Sequence, residues 1–98
     1  MARLLRTINA PSPVAEHPIA AGRWFLDFAW PEVMVAVEVD GWDGHAAYGD
    51  WLRNMEKRNW ARENGWFIIE VAWEHIKDRP DLVAARIEAA LARRSLAI

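Results

Sequence analysis

Three carboxylates carry the chemical interest of this sequence because each breaks or closes an otherwise apolar segment. Asp27 lies inside the aromatic stretch from Arg23 to Trp30, and Glu38 and Asp40 fall among valines at 33, 35, 37 and 39. A lone charge in an apolar strand is costly unless it is paired or binds something. Two carboxylates brought together without a cation repel and raise each other's pKa, whereas a divalent ion stabilises both in the ionised form. Oxygen-only ligands of this kind favour magnesium, manganese or calcium over zinc. His45, four residues after Gly41, adds an imidazole suited to proton transfer or, alternatively, to packing at the start of the next helix. Asp40, directly before Gly41, is also an ordinary turn former. There is no cysteine, which excludes disulfide scaffolds, thiolate zinc sites and cysteine nucleophiles, and the imidazoles are limited to His17, His45 and His75.

The elements that must hold these groups are visible as hydrophobic patterns. Arg23 to Trp30 and Val33 to Val39 read as two strands, and Pro31-Glu32 between them predicts a two-residue hairpin connection. That connection sets Asp27 across from Ala36 and Phe25 across from Glu38. Side-chain alternation then puts Asp27, Glu38 and Asp40 on one face, with the four valines, Trp24, Leu26 and Phe28 on the other. Asp27 and Glu38 become diagonal neighbours, their alpha carbons about 7 to 8 Å apart, close enough to share an ion. Val14 to Ile19, weakened by Pro18, predicts an edge strand, and residues 1–13 a lead-in with one or two helical turns between Met1 and Ile8.

After a turn at Gly41–Gly44, residues 46–64 form a predicted helix whose apolar stripe is Tyr48, Trp51, Leu52 and Met55, ended by Asn64-Gly65. Trp66 to Trp73 is nearly continuous apolar sequence, suited to a strand covered on both faces. Residues 80–94 predict a second helix with Val83, Ile87, Ala90 and Leu91 on one side and Arg93-Arg94 at its end. The order strand, strand, strand, helix, strand, helix makes an α/β domain spanning 1–98. Two substantial helices leave little cover for both faces of the sheet, so a homodimer or a larger partner is expected on the uncovered apolar surface.

Twelve Lys and Arg against fourteen Asp and Glu give a net charge of −2, so bulk charge does not draw the chain to a polyanion; a local patch still can. Arg53, Lys57, Arg58 and Arg62 along the first helix supply such a patch for DNA phosphates, or else a solvated helix face. Trp42 is placed to stack on a base or to pack in the core, one of seven tryptophans. No apolar run is long enough for a membrane span and no signal-peptide pattern is present, which points to a cytoplasmic protein without a membrane partner.

Taken together, the run Trp24-Phe25-Leu26-Asp27-Phe28-Ala29-Trp30-Pro31-Glu32, then Val37-Glu38-Val39-Asp40-Gly41, His45 and Gly65-Trp66, resembles the short endonuclease-like domains related to very short patch repair endonucleases, within the PD-(D/E)XK nuclease superfamily. The resemblance covers roughly residues 14 to 91. It implies a restriction-endonuclease-like mixed central sheet flanked by helices, with the usual first helix missing or truncated. It also implies a magnesium-dependent DNA endonuclease, with manganese able to substitute. Asp27, Glu38 and the carbonyl of Val39 would then hold the metal, and His45 would be the general base. Asp40 stands where most of the superfamily has lysine, and Asn54 where the family has an aspartate supporting the imidazole. The alternative is a non-catalytic DNA-binding or partner-binding relative of the same fold.

Overall fold

A computed structural model describes residues 1–8, 10–40 and 48–96. A four-residue helix, α1 (Ala2–Leu5), leads into β1 (Val14–Ile19), β2 (Trp24–Trp30) and β3 (Val35–Asp40). Helix α2 (Tyr48–Glu63), strand β4 (Phe67–Ala72) and helices α3 (Trp73–Asp78) and α4 (Pro80–Leu96) follow. The strands lie in the order β1-β2-β3-β4, antiparallel between the first three and parallel between β3 and β4. Helix α2 supplies the crossover that a parallel pair requires. The result is a mixed sheet with helices on both faces, as expected. No helix among the described residues is long and apolar enough to cross a membrane.

The hairpin differs from expectation in its loop, and the difference moves the acids. Val33 N–H donates to the Trp30 carbonyl and Met34 N–H to the Pro31 carbonyl, so four residues, Pro31–Met34, make the connection. Met34 adopts φ 55°, which ends the turn and starts β3 two residues later than the alternation of valines suggests. The register is therefore Phe28 with Val37 and Ala29 with Ala36, and its next rung sets Asp27 level with Glu38 instead of Ala36.

Strict alternation also fails in β2. Trp24 and Leu26 pack with Ile19, Trp60 and Trp66, whereas Phe28 and Trp30 pack on the opposite side with Val35 and Val37. The reversal falls at Asp27. Across from it in β1, Glu16 takes φ 49°, and the β1–β2 pairing passes from Ala15–Phe28 to His17–Leu26 without a rung between. A left-handed non-glycine residue interrupts the pleat, so the side chains beyond it change faces.

Helix α4 presents Val83, Ile87, Ala90 and Leu91 to the sheet as anticipated, and the lead-in segment joins the same core through Leu4, Leu5 and Ile8. This short segment, with α4 and α3, covers the valine face. Two expectations meet the structure here. Strand β4 has α4 on one face and α2 on the other, as expected of a strand covered on both, but it has no neighbouring strand at its outer edge among the described residues and leaves Phe67 and Glu70 exposed. In α2 the stripe turns mostly outward: Tyr48, Trp51 and Met55 are 71 %, 51 % and 42 % exposed and only Leu52 is half-buried, while Ala61 is buried. Helical periodicity was present in the sequence, but the stripe did not mark the packed side. The helix ends as foreseen: Trp66 N–H reaches the Ala61 carbonyl, Gly65 N–H reaches Arg62, and Gly65 takes φ 93°. This double bond pattern needs a residue tolerant of the left-handed region at position 65.

Candidate metal centre and its flanking clefts

At the level of Asp27 and Glu38, side chains replace the ladder between β2 and β3. Asp27 N–H donates to Glu38 Oε2 at 2.7 Å, and Val39 N–H donates to Asp27 Oδ2 at 2.8 Å. Each carboxylate thus holds a backbone donor of the opposing strand, and the two acids are bound into one unit. Glu38 is 2 % exposed, the one charged residue buried among the described residues. Burial pushes its carboxyl above the ordinary range. The Asp27 N–H and the Lys57 ammonium pull it back down, while the neighbouring Asp27 charge adds to the rise.

Lys57 is the residue whose placement sequence reasoning missed. It was grouped with Arg53, Arg58 and Arg62 as a phosphate contact, but its ammonium forms an ion pair with Glu38 Oε1 and its side chain is only 13 % exposed. Next to the pair the facing positions are small, although the same cluster also holds Ile19, Leu26 and Trp66. Ala29, Ala36 and Ala61 share one buried cluster, and Ala61 lies one turn from Lys57 on the same helix face. Small side chains let the helix approach the sheet closely enough for the lysine stem to reach the strand. The signal available in the sequence was the spacing Lys57, Ala61 together with Ala36, two residues before Glu38.

The other cations of α2 are also engaged. Arg53 pairs with Asp50 on the helix surface. Arg58 bridges Asp40 at 2.5 Å and Glu70 at 2.8 Å, and Arg62 stands 3.7 Å from the second Glu70 oxygen. Asp40 is therefore held away from Glu38 by a guanidinium fork, and it is half exposed. Asn54, exposed on α2, lines a cleft of about 580 Å³ with Trp51, Arg58, Arg62, Asp40 and Glu70. His45 and Trp42 lie outside the described residues, so the base and the stacking residue anticipated from the sequence are not placed.

The donor set suits a hard cation in part. Asp27 and Glu38 are joined, the Val39 backbone lies beside them, and magnesium is commonly held by one or two carboxylates with water completing its shell. Among the described residues no group of three or more acidic or imidazole side chains converges as a closed metal cage. The arrangement is two carboxylates and one ammonium, with both Glu38 oxygens already partnered by the Asp27 N–H and Lys57.

No protein-family model matches the chain, and no solved structure matches it. Two curated proteins of Mycobacterium tuberculosis are similar to it: uncharacterized protein MT2308 of strain CDC 1551 / Oshkosh and uncharacterized protein Rv2248 of strain ATCC 25618 / H37Rv. Each is 34 % identical over 92 residues, covering 89 % of this chain and 33 % of the relative. The chain thus spans about a third of the length of the curated relatives it matches.

Proposed function

We propose that this domain is a magnesium-dependent DNA endonuclease of the restriction-endonuclease-like, very short patch repair-related kind. The observation that carries the reading is the joined pair Asp27 and Glu38, each carboxylate accepting a backbone N–H of the other strand, with Lys57 alongside. A buried carboxylate with a second acid beside it costs stability unless its charge is paired and hydrogen-bonded. The order of strands and the crossover helix agree with the fold that the resemblance implies.

In this reading Asp27, Glu38 and the Val39 carbonyl hold the ion, which when bound offsets charge developing on the phosphate and lowers the pKa of water. The protein's own groups do the remaining work. Lys57 supplies, from α2, the cation that Asp40 does not supply at the motif position, and its ammonium neutralises Glu38 and approaches the phosphate. Backbone bonds from Asp27 and Val39 fix both carboxylates in orientation before substrate arrives. His45 takes the proton of the attacking water, and Arg58 keeps Asp40 from adding a third negative charge beside the phosphate.

The test is nicking of supercoiled and linear DNA with magnesium or manganese, beside Asp27→Asn. Cleavage that needs the metal and falls by at least about a hundredfold in the variant supports the reading, since even groups behind the ligands are worth about ten- to a hundredfold. Cleavage unaffected by the substitution removes Asp27 from the site. A second reading, a non-catalytic DNA- or partner-binding relative, is favoured by one observation: Lys57 already neutralises Glu38 without any metal. Isothermal titration with manganese separates the two, since a domain in which lysine replaces the ion shows no uptake at this pair.

A further inference from the structure

The cations expected to meet DNA are those of α2, and all four of them are engaged by carboxylates: Arg53 by Asp50, Lys57 by Glu38, Arg58 by Asp40 and Glu70, Arg62 by Glu70. Each of these cations already faces a carboxylate, Lys57 inside the fold and Arg53 on its surface. Elsewhere Arg86, Arg93 and Arg94 of α4 have no carboxylate within ion-pair distance among the described residues, which is also true of the scattered Arg3, Arg6, Arg23, Lys77 and Arg79. Arg86 and Arg93 are exposed and stand two helical turns apart on one side of α4, about 10 Å along its axis. Both line a cleft of about 430 Å³ against the outer edge of β4, with Phe67 and Glu70.

Two features relate this cleft to the candidate metal centre. Glu70 lines both clefts, and in the parallel register it lies level with Glu38. Phe67 is three residues back along β4, about 10 Å of extended chain. The one carboxylate at the junction is held by Arg58 and Arg62, so it presents little net charge to a polyanion. At the far end Phe67 is 39 % exposed, with the guanidinium carbons of Arg93 and Arg94 at 5.6 Å and 5.9 Å from its ring centre. Arg94 donates to the Gly65 carbonyl at 3.2 Å, and arginines without carboxylate partners beside a sheet edge suit phosphate oxygens, which guanidinium groups bind in a forked geometry.

We infer that Arg86 and Arg93, with Arg94 and Phe67, form a track for the phosphate backbone of nucleic acid that runs from the Asp27–Glu38 pair over the β4 edge. The inference rests on the nuclease reading for the direction of the track, and it assigns DNA contact to α4 instead of α2. An acidic polypeptide is the competing occupant. Nucleic acid is favoured because the charge complements a polyanion along a line of about 10 Å, and Glu70, level with Glu38 on the neighbouring strand, is common to this cleft and the one beside α2.

The experiment is fluorescence anisotropy with a labelled DNA duplex in a chelator, so that nothing is cut, across a salt series. Arg86→Gln/Arg93→Gln is compared with Arg6→Gln/Arg23→Gln, which removes the same charge elsewhere, and thermal melts verify that each variant is folded. The expected result is binding weakened about tenfold at low salt in the first variant, with a log–log salt slope shallower by about two, and a slope unchanged in the control. Equal losses in both variants, or an unchanged slope in the first, overturn the track. Polyglutamate that binds the wild type as tightly as DNA of equal charge, and loses affinity by the same factor in the variant, overturns the assignment to nucleic acid. A wild type that cuts DNA with magnesium while the Arg86/Arg93 variant keeps its slope leaves the nuclease reading standing without this track. Binding with the expected slope but no cleavage does the reverse.

Discussion

On one face of the sheet, Val35, Val37, Ile69 and Val71 meet Val83, Ile87 and Leu91 of α4, with Leu4, Leu5 and Ile8 at the margin. On the other, Ala29 and Ala36 share a cluster with Ala61 of α2, and Glu38 lies beside them under Lys57. The first face is built from bulky branched side chains that interlock and leave no polar atom to satisfy. The second gives up aliphatic volume, and in exchange a helix sits close enough to deliver an ammonium to a buried carboxylate. Aliphatic packing and buried charge are thus divided between the two sides of a single sheet, with β3 serving both: Val35 and Val37 turn one way, Ala36 and Glu38 the other.

The comparison breaks most severely at Lys57. Replacing it by Met leaves Glu38 buried without its cation, and the expected loss is about 3 to 5 kcal/mol in chemical denaturation. Lys57→Met/Glu38→Gln should recover most of that loss, since the uncompensated charge is gone. A single variant as stable as wild type would mean that the pair contributes nothing to this face.

A pair of substitutions, one per face, sharpens the contrast at the next level. Ile87→Ala, on the aliphatic side, should cost about 2 to 5 kcal/mol through the cavity it opens. It should leave metal-dependent cleavage per folded molecule unchanged. Ala36→Leu, on the α2 side, should cost about 1 to 3 kcal/mol by overpacking, yet reduce cleavage strongly by moving Lys57 away from Glu38. Rates measured well below each melting temperature read the difference; equal effects on cleavage would erase the division of labour.

The smallest effect expected is in the pH dependence of the metal-free protein. Burial raises the Glu38 pKa above its ordinary 4.5, so between that value and the raised one the folded state binds more protons than the unfolded state. This group's contribution is therefore most favourable at low pH and declines as pH rises through the window. Glu38→Gln lacks the titration. The stability of the variant minus that of the wild type should grow from about pH 4.5 upward and level off once Glu38 is ionised in both states. A difference that shrinks over the same window would mean that Lys57 and the Asp27 N–H outweigh burial.

Much of this molecule is written in local pattern. Pro18 in an edge strand, the Asn64-Gly65 helix end and the α4 stripe Val83, Ile87, Ala90, Leu91 depend on neighbours within a few residues, and each forms as read, while the alternating valines form a strand only from Val35. That Asp27 and Glu38 belong together was equally legible, because a lone acid in an apolar strand has few other reasons to be there. The register that joins them was not. It depends on whether two or four residues make the turn after Trp30, a choice settled by the Trp30–Val33 and Pro31–Met34 hydrogen bonds and by Met34 at φ 55°.

Which side of α2 faces the sheet was likewise beyond the sequence. An apolar stripe at helical spacing names a face but not its partner, and the sheet beneath α2 offered alanines and a buried carboxylate, for which Ala61 and Lys57 were the complement and Tyr48, Trp51 and Met55 were not. The same holds for charge. The cations of α2 and α4 look alike along the chain, and only the approach of Asp40 and Glu70 to α2 spends one set while leaving Arg86 and Arg93 without carboxylate partners among the described residues. Residue type and spacing determine what each segment is able to form; which groups neutralise one another is decided by long-range packing, because ion pairs and helix faces depend on surfaces that meet only when the chain has folded.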